Sequence, residues 1–148
     1  MLTSPDLKEL LNLFKKHNVK YLVVGGYAVM RYTEPRFTKD LDLLISVEIK
    51  NATAVYNALK EFGAPLSGLT VKDFSQKGYF YQMGRPPMRV DIMMSIPGIK
   101  FDDAWSQHER LTIDGIEMNF ISKKDLIASK KASGRSQDLI DVENLEKA

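Results

Sequence analysis

The chain has 148 residues, is 44% hydrophobic and 27% charged, carries a formal net charge of +2 and contains no cysteine. That composition is ordinary for a globular protein. The missing cysteine excludes disulfides, thiolate metal sites and cysteine nucleophiles, and a net charge this small does not by itself argue for nucleic acid.

The length fits a single domain over residues 1–148, able to bury roughly 70% of its unfolded surface. No apolar run approaches the roughly 20 residues of a membrane span. Residues 1–16 lack a basic start followed by an apolar stretch, so no secretory signal is expected and the cytoplasm is the default location.

In chain order, Ser4-Pro5 opens a helix, with Asp6 in its first turn and Leu7, Leu10, Leu11 and Phe14 forming one apolar stripe. "YLVVGG", residues 21–26, is an apolar run closed by two glycines and reads as a buried strand. "YAVMRYT" reads as a short helix and "EPRFTK" as a loop. "DLDLLI", residues 40–45, is the second strand. Residues 48–63 form an amphipathic helix ended by Gly63.

"GYFYQMG" and "MRVDIMMSI" read as an antiparallel strand pair joined by "RPP", and "FDDAWSQ" as a helical turn. "ERLTI" and "IEMNFI" flank Asp114-Gly115, a strong hairpin signal. From Ser122 the chain reads as two helices broken near "SGRS", with Ser122 and Asp125 placed as a capping box. This order predicts an α/β (α+β) fold: a mixed sheet flanked by helices, with a helix-and-sheet core over 1–121 and a helical extension over 122–148.

Several residues could carry chemistry. Gly25 and Gly26 end a strand and run straight into a helix, which suits either a bound phosphate or a tight turn. The dinucleotide and P-loop glycine patterns are absent from the sequence. Asp40 and Asp42 lie two apart on a strand, so both carboxylates face one way with Cα atoms about 7 Å apart. At a carboxylate spacing of about 5 Å and an effective dielectric near 20, their repulsion is on the order of 3 kcal/mol. Either a solvated edge strand or a divalent cation would offset it.

Asp91 stands in the apolar strand "MRVDIMM", where an aspartate needs a partner. It is either paired with Arg85 or Arg89, or is a third carboxylate joining Asp40 and Asp42. The tail is basic. Lys123 and Lys124 read as a solvated helix face, whereas Lys130, Lys131 and Arg135, near the helix break, are candidates for binding phosphate. His17 and His108 form no zinc pattern. Met83, Met88, Met93 and Met94 read as core filler.

Taken together, these pieces resemble the nucleotidyltransferase superfamily, with its polymerase-β-like fold. The likeness lies in "YLVVGG", in "RFTKDLDLLI" at a suitable interval, and in the later "MRVDIMM". The tail "SKKDLIASKKASGRSQDLIDVENL" resembles the C-terminal helices of bacterial stand-alone members related to abortive-infection toxin–antitoxin nucleotidyltransferases.

The resemblance implies transfer of a nucleoside monophosphate from a nucleoside triphosphate to a hydroxyl on RNA, protein or a small molecule. It implies two Mg2+ ions, replaceable by Mn2+, on Asp40, Asp42 and Asp91, with Asp91 taking the acceptor's proton. Gly25, Gly26, Arg36, Thr38, Lys39, Lys130 and Arg135 then face the nucleotide, Asp138 orders the helix pair, and an antitoxin is a candidate partner protein. Two other readings stand beside it. One is a catalytically inactive module of the same fold that binds nucleotide or protein. The other is a DxD-dependent glycosyltransferase, which has no need of the glycine pair or of Asp91.

Overall fold

The computed structural model describes residues 4–35, 40–85 and 88–148. The described residues form, in order, α1 (Pro5–Lys16), β1 (Tyr21–Val24), α2 (Gly25–Tyr32), β2 (Asp40–Ile45), α3 (Ile49–Phe62), a 3-10 helix (Val71–Ser75), β3 (Phe80–Arg85), β4 (Met88–Met93), α4 (Phe101–Ser106), β5 (Glu109–Ile113), β6 (Ile116–Phe120), α5 (Lys123–Ser133) and α6 (Ser136–Lys147).

The strands make one six-stranded mixed sheet in the order β3-β4-β2-β1-β6-β5. β2 runs antiparallel to β1 and parallel to β4, β1 runs parallel to β6, and the pairs β3–β4 and β5–β6 are antiparallel. The mixed α/β architecture and both antiparallel pairs expected from the sequence are therefore present. The β5–β6 turn places Asp114 at φ 52° and Gly115 at φ 79°, the positive pair that a type I′ hairpin turn requires.

The apolar stripe of α1 buries Leu7, Leu10, Leu11 and Phe14. Full burial of side chains of this size is worth roughly 1.5–3 kcal/mol each. Phe14 meets Tyr21 of β1 edge-on, with ring centroids 5.7 Å apart. β1 is buried at all four positions, which explains its unbroken apolar run. β2 instead alternates at its start, with Asp40 and Asp42 half-buried and Leu41 and Leu43 fully buried. Asn51 of α3 fastens the loops around the far end of β2. Its side chain accepts from Lys20 N–H at 2.7 Å and donates to the carbonyls of Lys20 and Ser46.

Three local details differ from the sequence reading. The helix after β1 is entered at Gly25 itself, whose φ of +67° makes the turn, and Gly26 already lies in the first helical turn. β2 is an inner strand between β4 and β1, so the solvated-edge explanation for its two aspartates fails. The 3-10 helix was missed, although Thr70 and Asp73 cap it reciprocally and Thr70 N–H reaches the Asp73 carboxylate at 2.7 Å.

Candidate active site

Parallel pairing of β2 with β4 sets Asp42 directly opposite Asp91, and Asp40 opposite Arg89. The period-two alternation of strands then gathers Asp40, Asp42 and Asp91 on one face. One carboxylate oxygen from each lies within 4.8 Å of the other two, so the three could hold a metal ion.

On the other side, β1 places Val24 opposite Asp42, and the chain turns into α2 at Gly25. Gly25 has φ +67°. A Cβ added there would fall inside the Asp42 carboxylate, 2.9 Å from its Cγ and nearer still to its Oδ2. Glycine is required at this position twice over, by backbone conformation and by contact.

The electrostatics of the triad are unbalanced. Burial, then repulsion from Asp91 and Asp40, pushes the Asp42 carboxyl up to about 7, and a side-chain hydrogen bond with Asp91 adds to the effect. Positive charge on Lys130 works in the opposite direction. Asp91 is better accommodated, because its Oδ1 accepts from Gln82 Nε2 at 2.9 Å and lies 3.5 Å from Arg89 Nε. Arg89 Nε also lies 3.5 Å from Asp40 Oδ1, so one guanidinium spans two of the three acids. Pairing with Arg89 and membership of a carboxylate cluster, set out as alternatives for Asp91, thus hold together.

The triad opens into a cleft of about 350 Å³ closed on its far side by α5 and the start of α6. Gly25, Ser129, Lys130, Ser133, Arg135 and Asp138 line it with the three aspartates. Lys130, only 12% exposed, is 3.3 Å from Asp138 Oδ1 and 2.9 Å from Asp141 Oδ2. Arg135, 80% exposed, reaches Asp138 Oδ2 at 2.9 Å. Burial raises the Asp138 pKa, but hydrogen bonds from Arg135, Ser133 and Lys130 outweigh it and hold the carboxyl down at about 2.

Gly25, Asp40, Asp42, Asp91, Lys130 and Arg135, separate in sequence, are thus brought to one cleft. Gly26 lies in the first turn of α2 and is not among the cleft-lining residues. Lys131 points elsewhere, pairing with Glu146 at 3.2 Å on the surface. Arg36, Thr38 and Lys39 lie outside the described residues. The sequence reading passed over Gln82, Ser129, Ser133 and Asp141. For Asp141 a signal was present: an acid three residues after Asp138 lies on the same helix face.

The model of a family described as "Nucleotidyltransferase of unknown function (DUF6036)" matches residues 5–146. The chain belongs to this family. Comparison with curated proteins gives no match. Among solved structures, this nucleotidyltransferase-family chain is similar to the lincosamide antibiotic adenylyltransferase LnuA in its lincomycin-bound form. That likeness has a TM-score of 0.56 and 15% identity, covering 98% of this chain and 97% of that one. It is similar to an antigenic nucleotidyltransferase-like protein from Paracoccidioides brasiliensis, with a TM-score of 0.56, 20% identity, and coverage of 97% and 77%. It is also similar to TM1012, a nucleotidyltransferase candidate from Thermotoga maritima, with a TM-score of 0.59, 17% identity, and coverage of 95% and 88%. At these identities the likenesses establish the fold, which is that of a nucleotidyltransferase. Among the described residues, no helix is long and apolar enough to cross a membrane.

Proposed function

We propose that the chain is a metal-dependent nucleotidyltransferase, moving a nucleoside monophosphate from a nucleoside triphosphate to a hydroxyl acceptor with release of pyrophosphate. The observation that carries this reading is the convergence of three carboxylates beside a glycine that leaves no room for a side chain. In this reading residues 1–148 act as one unit, with the helices after residue 121 closing the cleft over the sheet.

The donor set fits a hard divalent cation: all three candidate ligands are carboxylates, and burial and crowding raise the Asp42 carboxyl well above the usual carboxylate range. Charge in the cleft agrees with this. Among the described residues, four lining carboxylates, Asp40, Asp42, Asp91 and Asp138, face two lining cations, Lys130 and Arg135. A polyanionic triphosphate entering this cleft needs added positive charge. Two Mg2+ ions, or Mn2+ in their place, would supply it and stabilise the attacking and leaving oxygens. Asp40 and Asp42 would hold both ions, and Asp91 the one on the acceptor side.

The residues of the chain then have separate tasks. Gly25 lets the backbone at the start of α2 approach the phosphates, where the helix dipole favours negative charge. Lys130 and Arg135 face the triphosphate from α5 and from the break before α6. Asp91 is placed to accept the acceptor's hydroxyl proton. As the acceptor oxygen bonds to the α-phosphorus, the bond from that phosphorus to the α–β bridging oxygen breaks, and pyrophosphate carries the electron pair away. Beyond Asp91 the sheet continues to β3, where Gln82 and Phe80 are exposed. That is the side open to an acceptor, whether RNA, protein or a small molecule.

Calorimetry with ATP, CTP, GTP and UTP, with and without Mg2+, tests the reading when combined with a pyrophosphate-release assay. Metal-dependent binding of one or more nucleotides and release of pyrophosphate with an acceptor support it. Tight binding with no release across acceptors would mark a nucleotide-binding module. A toxin–antitoxin setting predicts toxicity on expression that Asp42→Ala removes.

A further inference from the structure

Asp141 has no role in the chemistry above, yet it is fully buried at the edge of the site, with 0% of its surface exposed. Its Oδ2 lies 2.9 Å from Lys130 Nζ, and its Oδ1 accepts from Gln137 Nε2 at 3.0 Å. Both oxygens are thereby fixed, one of them on the ammonium. Asp138, also buried, contributes a second contact to the same nitrogen at 3.3 Å.

We propose that Asp141 is a positioning residue that holds the Lys130 ammonium at the mouth of the triphosphate site. The inference rests on the assignment of Lys130 to the triphosphate. A lysine ammonium has three N–H donors. Asp138 accepts from one of them, and Asp141 lies against the same head group as an ion pair at 2.9 Å, so donor capacity is left for a ligand in the cleft that Lys130 lines. A free lysine side chain samples many rotamers and surrenders that freedom on binding. Here α6 has already fixed the head group from behind, so the cost is met during folding.

Charge supports the same assignment. Lys130, Arg135, Asp138 and Asp141 form two cations and two anions joined by contacts of 2.9–3.3 Å. Without Asp141, the Lys130 head group would be drawn toward Asp138 and the Asp40, Asp42 and Asp91 cluster, onto the groups expected to take the cation. Asp141 therefore keeps a cationic donor separate from the metal carboxylates.

The probe is inorganic triphosphate titrated calorimetrically in the presence of Mn2+ into wild type, Asp141→Asn, Lys130→Met and the double variant. Asn preserves the shape of the side chain and removes its charge. The expected result is a loss of affinity of about ten-fold for each single variant and no greater loss for the double, because both changes remove the same contact. Should Lys130→Met not fold, the ammonium NMR resonance of Lys130 decides. It is sharp and slow to exchange in wild type, and broadened in Asp141→Asn. Wild-type affinity and an unchanged resonance in Asp141→Asn would overturn the inference while leaving the nucleotide site intact, as would losses that multiply in the double variant. A wild-type chain that takes no triphosphate at all would overturn the nucleotide site and this inference together.

Discussion

Gly25 and Asp42 occupy each other's space: the carboxylate of Asp42 lies where a β-carbon on residue 25 would be. The two are neighbours because β1 and β2 pair with Val24 opposite Asp42, and the next residue turns into α2. The backbone proposed to bind phosphate and the carboxylate proposed to bind metal are therefore one structural unit.

Gly25→Ala should be severe. Alanine must adopt φ +67° and also displace Asp42, a strain of order 1–3 kcal/mol before any loss of contacts. We expect a lower melting temperature and loss of Mn2+-dependent nucleotide binding. Calorimetry would show whether both appear in the same variant.

The pH dependence of the metal-free protein has a definite sign. Asp42 titrates at about 7 folded, against 3.8 as its ordinary value. The folded state therefore binds more protons between those values, and the stability associated with protonated Asp42 is lost as pH rises from about 4 to 7. The effect is on the order of 2–4 kcal/mol. Asp138 acts oppositely, since its folded pKa is about 2, so its contribution is present above about 4 and fades as pH falls toward 2. Urea unfolding in chelator should show greatest stability near pH 4–5. In Asp42→Asn the decline toward pH 7 should flatten.

Substitutions in the triad should differ in their effect on stability. Asp42→Asn relieves repulsion and leaves the Asp91 contacts to Gln82 and Arg89 in place, so metal-free stability at pH 8 should equal or exceed wild type. Asp91→Ala deprives Gln82 and the half-exposed Arg89 of a partner and should gain less. All three variants, Asp40→Ala included, should lose metal-dependent transfer. Marked destabilisation by every one of them in chelator would show the acids to be structural.

Arg135 and Lys130 should separate cleanly. Arg135 is 80% exposed but its partner Asp138 is buried and keeps Lys130, so Arg135→Ala should lower the melting temperature less than Lys130→Ala while weakening triphosphate binding. Lys130→Ala leaves Asp138 and Asp141 buried without their shared cation and should cost on the order of 3–5 kcal/mol. Thermal melts on the two variants make the comparison.

Most of the fold could be read because local signals and tertiary context agree. The α1 stripe, the αL glycine after α3 and the Asp114-Gly115 turn each act within a few residues. The DxD pattern was legible as a candidate carboxylate site but not as position. Whether Asp40 and Asp42 lie on an edge or an inner strand depends on pairing with β1 and β4, and no local pattern encodes that order. Gln82 was missed for the same reason, since it reaches Asp91 only across the β3–β4 pair. For Asp141 the helical spacing from Asp138 was legible, but its pairing with Lys130 on another helix was not.

The central claim is metal-dependent transfer by the Asp40, Asp42 and Asp91 cluster. Its most direct test is incubation of purified protein and cell extract with nucleoside triphosphates labelled at the α-phosphate. The account predicts label passing to an acceptor only with Mg2+ or Mn2+, and no labelling by Asp42→Asn. Labelling that persists in Asp42→Asn or in chelator, or an absence of transfer from all four nucleotides, would contradict it.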